Sequence, residues 1–285
     1  MINIIYSIIL FNVLIIIFKM FDKYNINSLQ ALIFNYITAG ICSYIFLESK
    51  FSIESVINAP WLLHAVSIGI LFMIVFIFYA YGTQKVGIAI TTIANKMSLI
   101  IPVSVAIILY NDTFNYLKAL AFCLGIIGIY LCSTESGKLS FDKKYLWLII
   151  LVFLGQGISD SIFNDFAQSF SNQIKYIFFM VLFFAASISG IIIHSVKSFK
   201  KYSPYQTQSL LWGFLLGLPN FFCLVFFLKA LETSNIQSST VFSLVSIGIV
   251  IVSSLLGILF FNERLSKTNW VGILISMLSI YIFSY

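Results

Sequence analysis

Residues 87–110 read GIAITTIANKMSLIIPVSVAIILY, an apolar run that carries one charged residue, Lys96, near its middle. A helix of this length can span a bilayer. A charged side chain at the bilayer centre costs about 2.5–3.5 kcal/mol on insertion scales, so such residues face a bundle interior or a water-filled cavity. The run therefore predicts a helix bundle that encloses a polar cavity, with Lys96 as the first candidate functional residue.

Composition extends this prediction to the whole chain. Of the 285 residues, 9% are charged and 60% are hydrophobic, and the mean hydropathy of +1.03 is too high for the surface of a soluble domain. Apolar segments of about 20 residues recur between short polar breaks, which favours helices over barrel strands. We predict an all-α integral membrane protein with ten transmembrane helices. Their approximate bounds are 1–21, 28–48, 61–82, 87–110, 115–133, 145–168, 173–197, 205–231, 235–261 and 267–284.

The most polar stretch of the chain, TESGKLSFDKK at 134–144, separates two sets of five predicted helices. We assign residues 1–136 and 145–285 to two halves and residues 137–144 to the connecting loop. A shift of 151 positions aligns the acidic turn Asn111-Asp112 with Asn262-Glu263. Because each half has an odd number of spans, the second half enters from the opposite face. The prediction is two inverted five-helix repeats around a central cavity.

Several short motifs resemble EamA-like permeases of the drug/metabolite transporter superfamily. The turn Asn262-Glu263-Arg264-Leu265-Ser266, followed by a helix that contains Gly272, is similar to the Gly-Glu-Arg-Leu-Ser turn of that family. The pair Tyr79-Ala80 followed by Gly87-Ile88-Ala89 and the run from Pro102 to Asp112 resemble its third and fourth helices. Two departures are Asp112, where a Glu is usual, and Ser253, which stands where a second-half Pro would match Pro102.

Positive charges are distributed unequally between the two sides of the predicted bundle. About eleven Lys and Arg residues fall in loops opposite both termini, against about four on the other side, and the positive-inside rule then places both termini outside. The family resemblance implies cytoplasmic termini instead, so both orientations stay open. In either case we expect a multi-pass protein of the cell membrane, the inner membrane in a bacterium.

Two predicted helices carry polar side chains along one face. Helix 6 has Gln156, Asp160, Asn164 and Gln168 at four-residue steps, and helix 4 has Thr92 and Lys96 four residues apart, bordered by Asn95. Such stripes line a cavity or form hydrogen bonds between helices. We hypothesise a Lys96–Asp160 ion pair, although their depths differ by about 10 Å at 1.5 Å per residue. The alternative is a neutral, deprotonated Lys96, because burial disfavours the charged form.

Polar residues on other helices could complete the cavity. Asn12, Asn35, Asn220 and Ser243 are further substrate-binding candidates, although small polar residues often only pack helices. Ser239 and Ser246 share the predicted helix face of Ser243. His64 and His194 lie near predicted membrane boundaries, where interfacial solvation explains them more simply than a proton relay does.

These features favour a secondary transporter of a small polar metabolite, and the family resemblance implies export of an amino acid or related compound. Alternatives are an organic-anion, phosphate or nucleotide-sugar carrier and, from another class, a non-transporting membrane scaffold or sensor. The sequence has no phosphate loop and no zinc-protease motif, so we expect neither an enzyme nor a cofactor or metal. Expected partners are the substrate, the lipid bilayer, a coupling proton or cation and a second copy in a homodimer, but no nucleic acid.

Overall fold

The structure is a computed structural model that describes residues 2–47, 52–109, 116–135, 138–170, 175–200, 204–233 and 238–282. This part of the chain is helical except for a two-stranded antiparallel hairpin, β1 (Thr134–Glu135) with β2 (Lys138–Leu139), and a 3-10 turn at Lys143–Tyr145. The helices are α1 (Ile2–Lys23), α2 (Ser28–Ile45), α3 (Ile53–Ile57), α4 (Leu62–Lys85), α5 (Ile88–Met97), α6 (Ile100–Leu109), α7 (Tyr116–Ser133), α8 (Leu146–Phe170), α9 (Lys175–Lys200), α10 (Thr207–Thr233), α11 (Ser238–Phe261) and α12 (Lys267–Ile282).

The predicted helical membrane architecture is confirmed, with differences in helix length. Among the described residues, seven helices are long and apolar enough to cross a membrane: α1, α2, α4, α8, α9, α10 and α11. The other three predicted spans contain shorter apolar helices, at Ile88–Pro102, Ala119–Ser133 and Lys267–Ile282.

The predicted single helix over 87–110 is wrong, because the chain breaks at Ser98 and Leu99 into α5 and α6. Pro102 explains the position of the break. It has no N–H to donate to the Ser98 carbonyl, and its ring clashes with the carbonyl four residues earlier. That carbonyl accepts a bond from the Ile101 N–H at 2.9 Å instead, and the Ser98 hydroxyl donates to the Asn95 carbonyl. The break therefore follows Lys96 directly.

Contacts between helix ends define the two faces of the bundle. Lys19 near the end of α1 donates to the Thr83 carbonyl near the end of α4. Asn269 at the start of α12 donates to the Thr134 carbonyl just after α7. We call this side the lysine-rich face; α1, α4, α7, α9 and α11 end there, and α2, α5, α8, α10 and α12 begin there. It carries Lys19, Lys23, Lys85, Lys143, Lys144 and Lys267. At the opposite face His64 near the start of α4 meets Asp165 near the end of α8.

The pair α7 and α12 packs through small residues although the two helices are far apart in sequence. A Cβ atom at Gly128 would lie 2.3 Å from the Ser276 Oγ, so α12 uses the space that the glycine leaves. The Ser279 hydroxyl donates to the Ala121 carbonyl at 2.6 Å, and the Asn269 side chain donates to the Cys132 carbonyl at 2.6 Å. These bonds satisfy polar groups that lipid could not.

Close backbone approach also joins α2 and α10, and this predicts a strong packing effect at Gly213. A Cβ atom there would lie 2.4 Å from the Ala31 carbonyl oxygen and 3.1 Å from the Asn35 backbone nitrogen, neither of which can rotate away. We expect Gly213→Ala to destabilise the folded protein by about 1–3 kcal/mol, as overpacking does elsewhere. The measurement is the thermal unfolding midpoint in detergent.

A second glycine provides the matched control for this prediction. A Cβ atom at Gly248 would be 2.3 Å from the end of the flexible Ile8 side chain, which can change rotamer. Gly248→Ala should therefore unfold close to the parent midpoint. An unchanged midpoint for Gly213→Ala would contradict the close α2–α10 contact.

Candidate functional site

Lys96 is at the end of α5 and faces a cavity between the helices, as predicted. Its ammonium nitrogen lies 3.8 Å from the centroid of the Phe11 ring on α1, a cation–π geometry. The Phe11 ring packs edge-on against Tyr79, whose hydroxyl forms a 2.8 Å hydrogen bond with that of Thr92. The aromatic contact stabilises the ammonium while leaving it open to the cavity.

A hydrogen-bonded chain on the neighbouring wall joins α5 to α8. The Asn95 amide donates to Gln156 Oε1 at 3.0 Å, and the Gln156 amide donates to Asp160 Oδ1 at 2.8 Å. Both ends of the Gln156 amide are therefore occupied. Asn95 is only 2% exposed, and its Oδ1 atom has no hydrogen-bond partner among the described residues. Asp160 thus offers acceptor oxygens to the cavity, while the Asn95 oxygen is buried without a partner among the described residues.

The hypothesised ion pair between Lys96 and Asp160 is not formed. The ion pairs within 4.0 Å among the described residues are Lys19–Glu263, His64–Asp165, Lys85–Asp22 and Lys144–Asp142. Gln156 holds the Asp160 carboxylate and Phe11 supports the Lys96 ammonium, so each charge has another neighbour. Both side chains nevertheless line the same cavity. A ligand can therefore contact both charges.

The cavity has a volume of about 140 Å³ and mostly apolar walls. Its polar lining is Ser7, Asn95, Lys96, Gln156, Asp160, Asn220, Cys223 and Ser246. The remaining lining residues are Phe11, Leu14, Phe72, Phe76, Leu99, Phe163, Leu224, Phe227, Val245 and Ile249. An apolar cavity with a few convergent polar groups is typical of a small-molecule site.

On α1, α8, α10 and α11 the lining of the cavity lies a few residues nearer the opposite face than the middle of the helix, whereas on α4 Phe72 and Phe76 lie midway between Leu62 and Lys85. On α1 its lining ends at Leu14, well before Lys23, and on α10 it begins at Asn220, well after Thr207. Positions on α8 and α11 show the same displacement, because α8 contributes residues 156–163 and α11 contributes residues 245–249. A separate pocket of about 210 Å³ lies at the lysine-rich face, and Lys19, Gly87 and Glu263 are among its lining residues.

Five predicted site residues line the cavity, namely Asn95, Lys96, Gln156, Asp160 and Asn220. The other five do not. The Thr92 hydroxyl forms a hydrogen bond with the Tyr79 hydroxyl. Asn12 donates to the Ile8 carbonyl at 2.8 Å, and Ser243 donates to the Ile280 carbonyl at 3.0 Å. Asn164 is half-buried and is not among the lining residues. Asn35 accepts a 3.2 Å bond from Asn220 and so orients a lining residue. The side chains of Gln168 and Ser239 lie outside the described residues.

Some lining residues were missed in the sequence. Ser7, Phe11 and Leu14 recur at helical spacing on α1 and form the face that borders the cavity. Asn12 drew attention because it is a polar residue in the apolar middle of that helix, yet it donates to the Ile8 carbonyl and does not line the cavity. Cys223 also borders the cavity, and its thiol contacts the Ser7 hydroxyl at 3.8 Å.

Interfacial solvation alone does not explain His64, because its ring also forms a hydrogen-bonded pair with Asp165. Its Nε2 atom lies 2.8 Å from an Asp165 carboxylate oxygen, and Phe170 packs against the ring.

Among the described residues, no group of three His, Cys, Asp or Glu side chains could hold a metal ion. This part of the chain therefore offers no candidate metal site.

Known proteins are similar to this chain in sequence. The model of the EamA-like transporter family matches residues 142–285. A protein of Haemophilus influenzae, described as an uncharacterized protein, is 30% identical over 292 residues, which cover 99% of this chain and 97% of that protein. The chain belongs to the EamA-like transporter family. This confirms the resemblance found in the turn at 262–266 and places the protein in the drug/metabolite transporter superfamily.

A solved structure supports the same fold. One crystal structure of a protein aligns with a TM-score of 0.61 and 13% identity, and the alignment covers 97% of this chain and 95% of the other. At that identity the likeness shows the fold alone. Membership of the EamA-like family, together with the apolar helices, makes the chain a multi-pass membrane protein of the drug/metabolite transporter type.

Proposed function

We propose that this EamA-like protein is a secondary transporter that exports a small zwitterionic metabolite, an amino acid or a related compound, across the cell membrane. One observation carries the proposal: Lys96 and Asp160 line the same cavity without pairing with each other. The Lys96 ammonium suits a substrate carboxylate. The Asp160 carboxylate suits a substrate ammonium or a coupling proton.

The charges in the cavity also favour this substrate class over its rivals. Among the described lining residues, Lys96 is the only cation. An organic phosphate or nucleotide sugar, with more than one negative charge, would need more cationic partners. A cationic drug would suit Asp160 but would be repelled by the nearby Lys96. The zwitterion matches both groups, and the five lining phenylalanines can contact an apolar side chain.

The mechanism proposed is alternating access between two inverted five-helix repeats, each of five membrane spans. Helix bounds support such a repeat. The helix that starts at Ile88 has its counterpart at Ser238, and the helix that starts at Tyr116 has its counterpart at Lys267, offsets of 150 and 151 positions. The broken helix at Lys96 is the element that this class of transporter uses near the membrane midplane.

The test is counterflow into liposomes that contain the purified protein, with competition by matched compounds. Each set has one side chain in three forms: the amino acid, the acid without its amino group and the amine without its carboxylate. We expect the zwitterion to compete at least about tenfold better than either singly charged form, since each lost charge-assisted contact removes about 1.5 kcal/mol or more.

Two results would overturn the proposed function. Strong competition by the deaminated acid or by organic phosphates would indicate an anion carrier. No flux of any panel compound under any gradient, by protein that is monodisperse and folded, would indicate a scaffold or sensor.

A further inference from the structure

The Glu263 side chain joins elements from both halves at the lysine-rich face. Its Oε1 atom lies 3.0 Å from the Lys19 ammonium of α1 and accepts the Ile88 N–H at 2.8 Å, while Oε2 accepts the same N–H at 3.0 Å. Lys19 also donates to the Thr83 carbonyl of α4 at 2.8 Å. We call Lys19, Thr83, Ile88 and Glu263 the Glu263 clasp. The carboxylate therefore sits at the N-terminus of α5, where a negative charge is favoured.

The backbone around the clasp is shaped to admit the carboxylate. Gly87, directly before α5, has a φ of +125°, a conformation that residues with a Cβ rarely adopt. A Cβ atom at Gly257 would lie 2.7 Å from the Glu263 Oε2. The Glu263 N–H also donates to the Gly257 carbonyl at 2.9 Å. Glu263 is thus held by its backbone and by its side chain, and this side chain is 13% exposed.

The clasp is on the side of the bundle that the cavity does not reach. The lining residues of α1 end at Leu14, about 7 Å along the helix from Lys19 at 1.5 Å per residue. The bonds of the clasp join the ends of α1 and α4 and the residues after α11 to the start of α5. The Glu263 carboxylate joins the start of α5 to the end of α1, while α1 and α4 are also joined by the bonds of Lys19 to the Thr83 carbonyl and of Lys85 to Asp22.

Helix α5 connects the clasp to the cavity. Ile88 at its start binds Glu263, and Lys96 near its end faces the cavity, about 12 Å along the same helix. The break at Ser98 and Leu99 separates α5 from α6, so α5 can move as a short rigid unit. A ligand bound to Lys96 therefore affects the position of α5, and the Glu263 carboxylate bound to the Ile88 N–H affects the position of the same helix.

We propose that the Glu263 clasp is the gate of the lysine-rich face and that α5 couples its opening to the Lys96 site. The inference rests on alternating access as proposed above. In the present state the clasp is formed, and the lining of the cavity includes none of its four residues. Access from the lysine-rich face requires Glu263 to leave both Lys19 and the Ile88 N–H. The turn at 262–266, which carries Glu263 and resembles the family's Gly-Glu-Arg-Leu-Ser turn, then takes part in opening the lysine-rich face.

The Cys223 thiol offers a reporter that needs no substrate. It lines the cavity, whereas Cys42, Cys123 and Cys132 do not. In a variant with those three replaced by alanine, a membrane-impermeant methanethiosulfonate reagent is applied to vesicles from either side, and the labelling rate of Cys223 is measured. Glu263→Gln keeps an acceptor for the Ile88 N–H but removes the charge that holds Lys19. We expect labelling from the lysine-rich face to rise about tenfold or more and labelling from the opposite face to fall.

Two further variants make the result specific. Lys19→Gln should shift labelling in the same direction, which keeps the test valid if Glu263→Gln folds poorly. Asp22→Asn removes the exposed 3.1 Å ion pair with Lys85 at the same face and should leave both rates unchanged. Parent-like rates from both sides in folded Glu263→Gln and Lys19→Gln would overturn the gate. Because labelling requires no substrate, absence of flux in the counterflow assay would challenge the proposed function separately.

Discussion

Lys96→Met is expected to reduce counterflow of the zwitterionic substrate about tenfold to a hundredfold. Methionine keeps an unbranched apolar stem of similar length but removes the ammonium that faces the cavity from the Phe11 ring. A hydrogen bond to a charged group contributes about 1.5–3 kcal/mol, and each 1.4 kcal/mol is a factor of ten in affinity. Counterflow at substrate concentrations below half-saturation measures this loss.

The compound that stops competing shows which charge of the substrate Lys96 binds. In Lys96→Met, the deaminated acid should stop competing while the decarboxylated amine competes as before. The matched control is Lys85→Met, an exposed lysine at the lysine-rich face that pairs with Asp22; its counterflow should remain within about twofold of the parent because exposed pairs contribute little. Parent-like counterflow by Lys96→Met would remove Lys96 from the substrate site.

Asp160→Asn is expected to have the complementary effect. Asparagine keeps an oxygen that can accept the bond from the Gln156 amide, so the chain from Asn95 through Gln156 can persist while the negative charge is lost. Counterflow should fall about tenfold or more, by the same charge-assisted magnitude. Here the amine should stop competing and the acid should compete as before.

The same variant separates two roles for Asp160. If the carboxylate carries the coupling proton, Asp160→Asn retains counterflow and no longer accumulates substrate in response to a proton gradient. If it binds the substrate ammonium, both measurements fall together. The control is Asp142→Asn, because Asp142 is exposed and pairs with Lys144 at the surface. Unchanged counterflow and unchanged gradient response in Asp160→Asn would exclude both roles.

Hydropathy predicted the membrane helices well because it reports composition, which determines whether a segment enters lipid. It failed at 87–110 because the mean hydropathy of that run stays high although Asn95, Lys96 and Ser98 lie at the break. Pro102 lies beyond the break, because its steric effect acts on the carbonyl of Ser98, four residues earlier. The extent of the break also depends on the bond from Ser98 to the Asn95 carbonyl, which no periodicity encodes.

The polar stripes predicted the cavity only in part. Asn95, Lys96, Gln156 and Asp160 line it because their helix faces are polar and cannot face lipid. Thr92 lies four residues before Lys96 on the same face, yet Tyr79 takes its hydroxyl. Spacing determines which residues share a face, whereas the neighbouring helix determines which of them meet a protein partner. For the same reason Glu263 was predicted as part of a turn, while its bond to Ile88, 175 residues away, was not.

The pairing of α7 with α12 has a consequence for synthesis. The two helices are partners in the structure, but α7 ends at Ser133 and α12 begins at Lys267. At about 5–20 residues per second, a ribosome needs about 7–27 s to make the intervening chain. During that interval the surface of α7 that receives Ser276 and Ser279 must be covered by lipid or by another protein. A helix of the second half therefore completes the packing of the first half of the molecule.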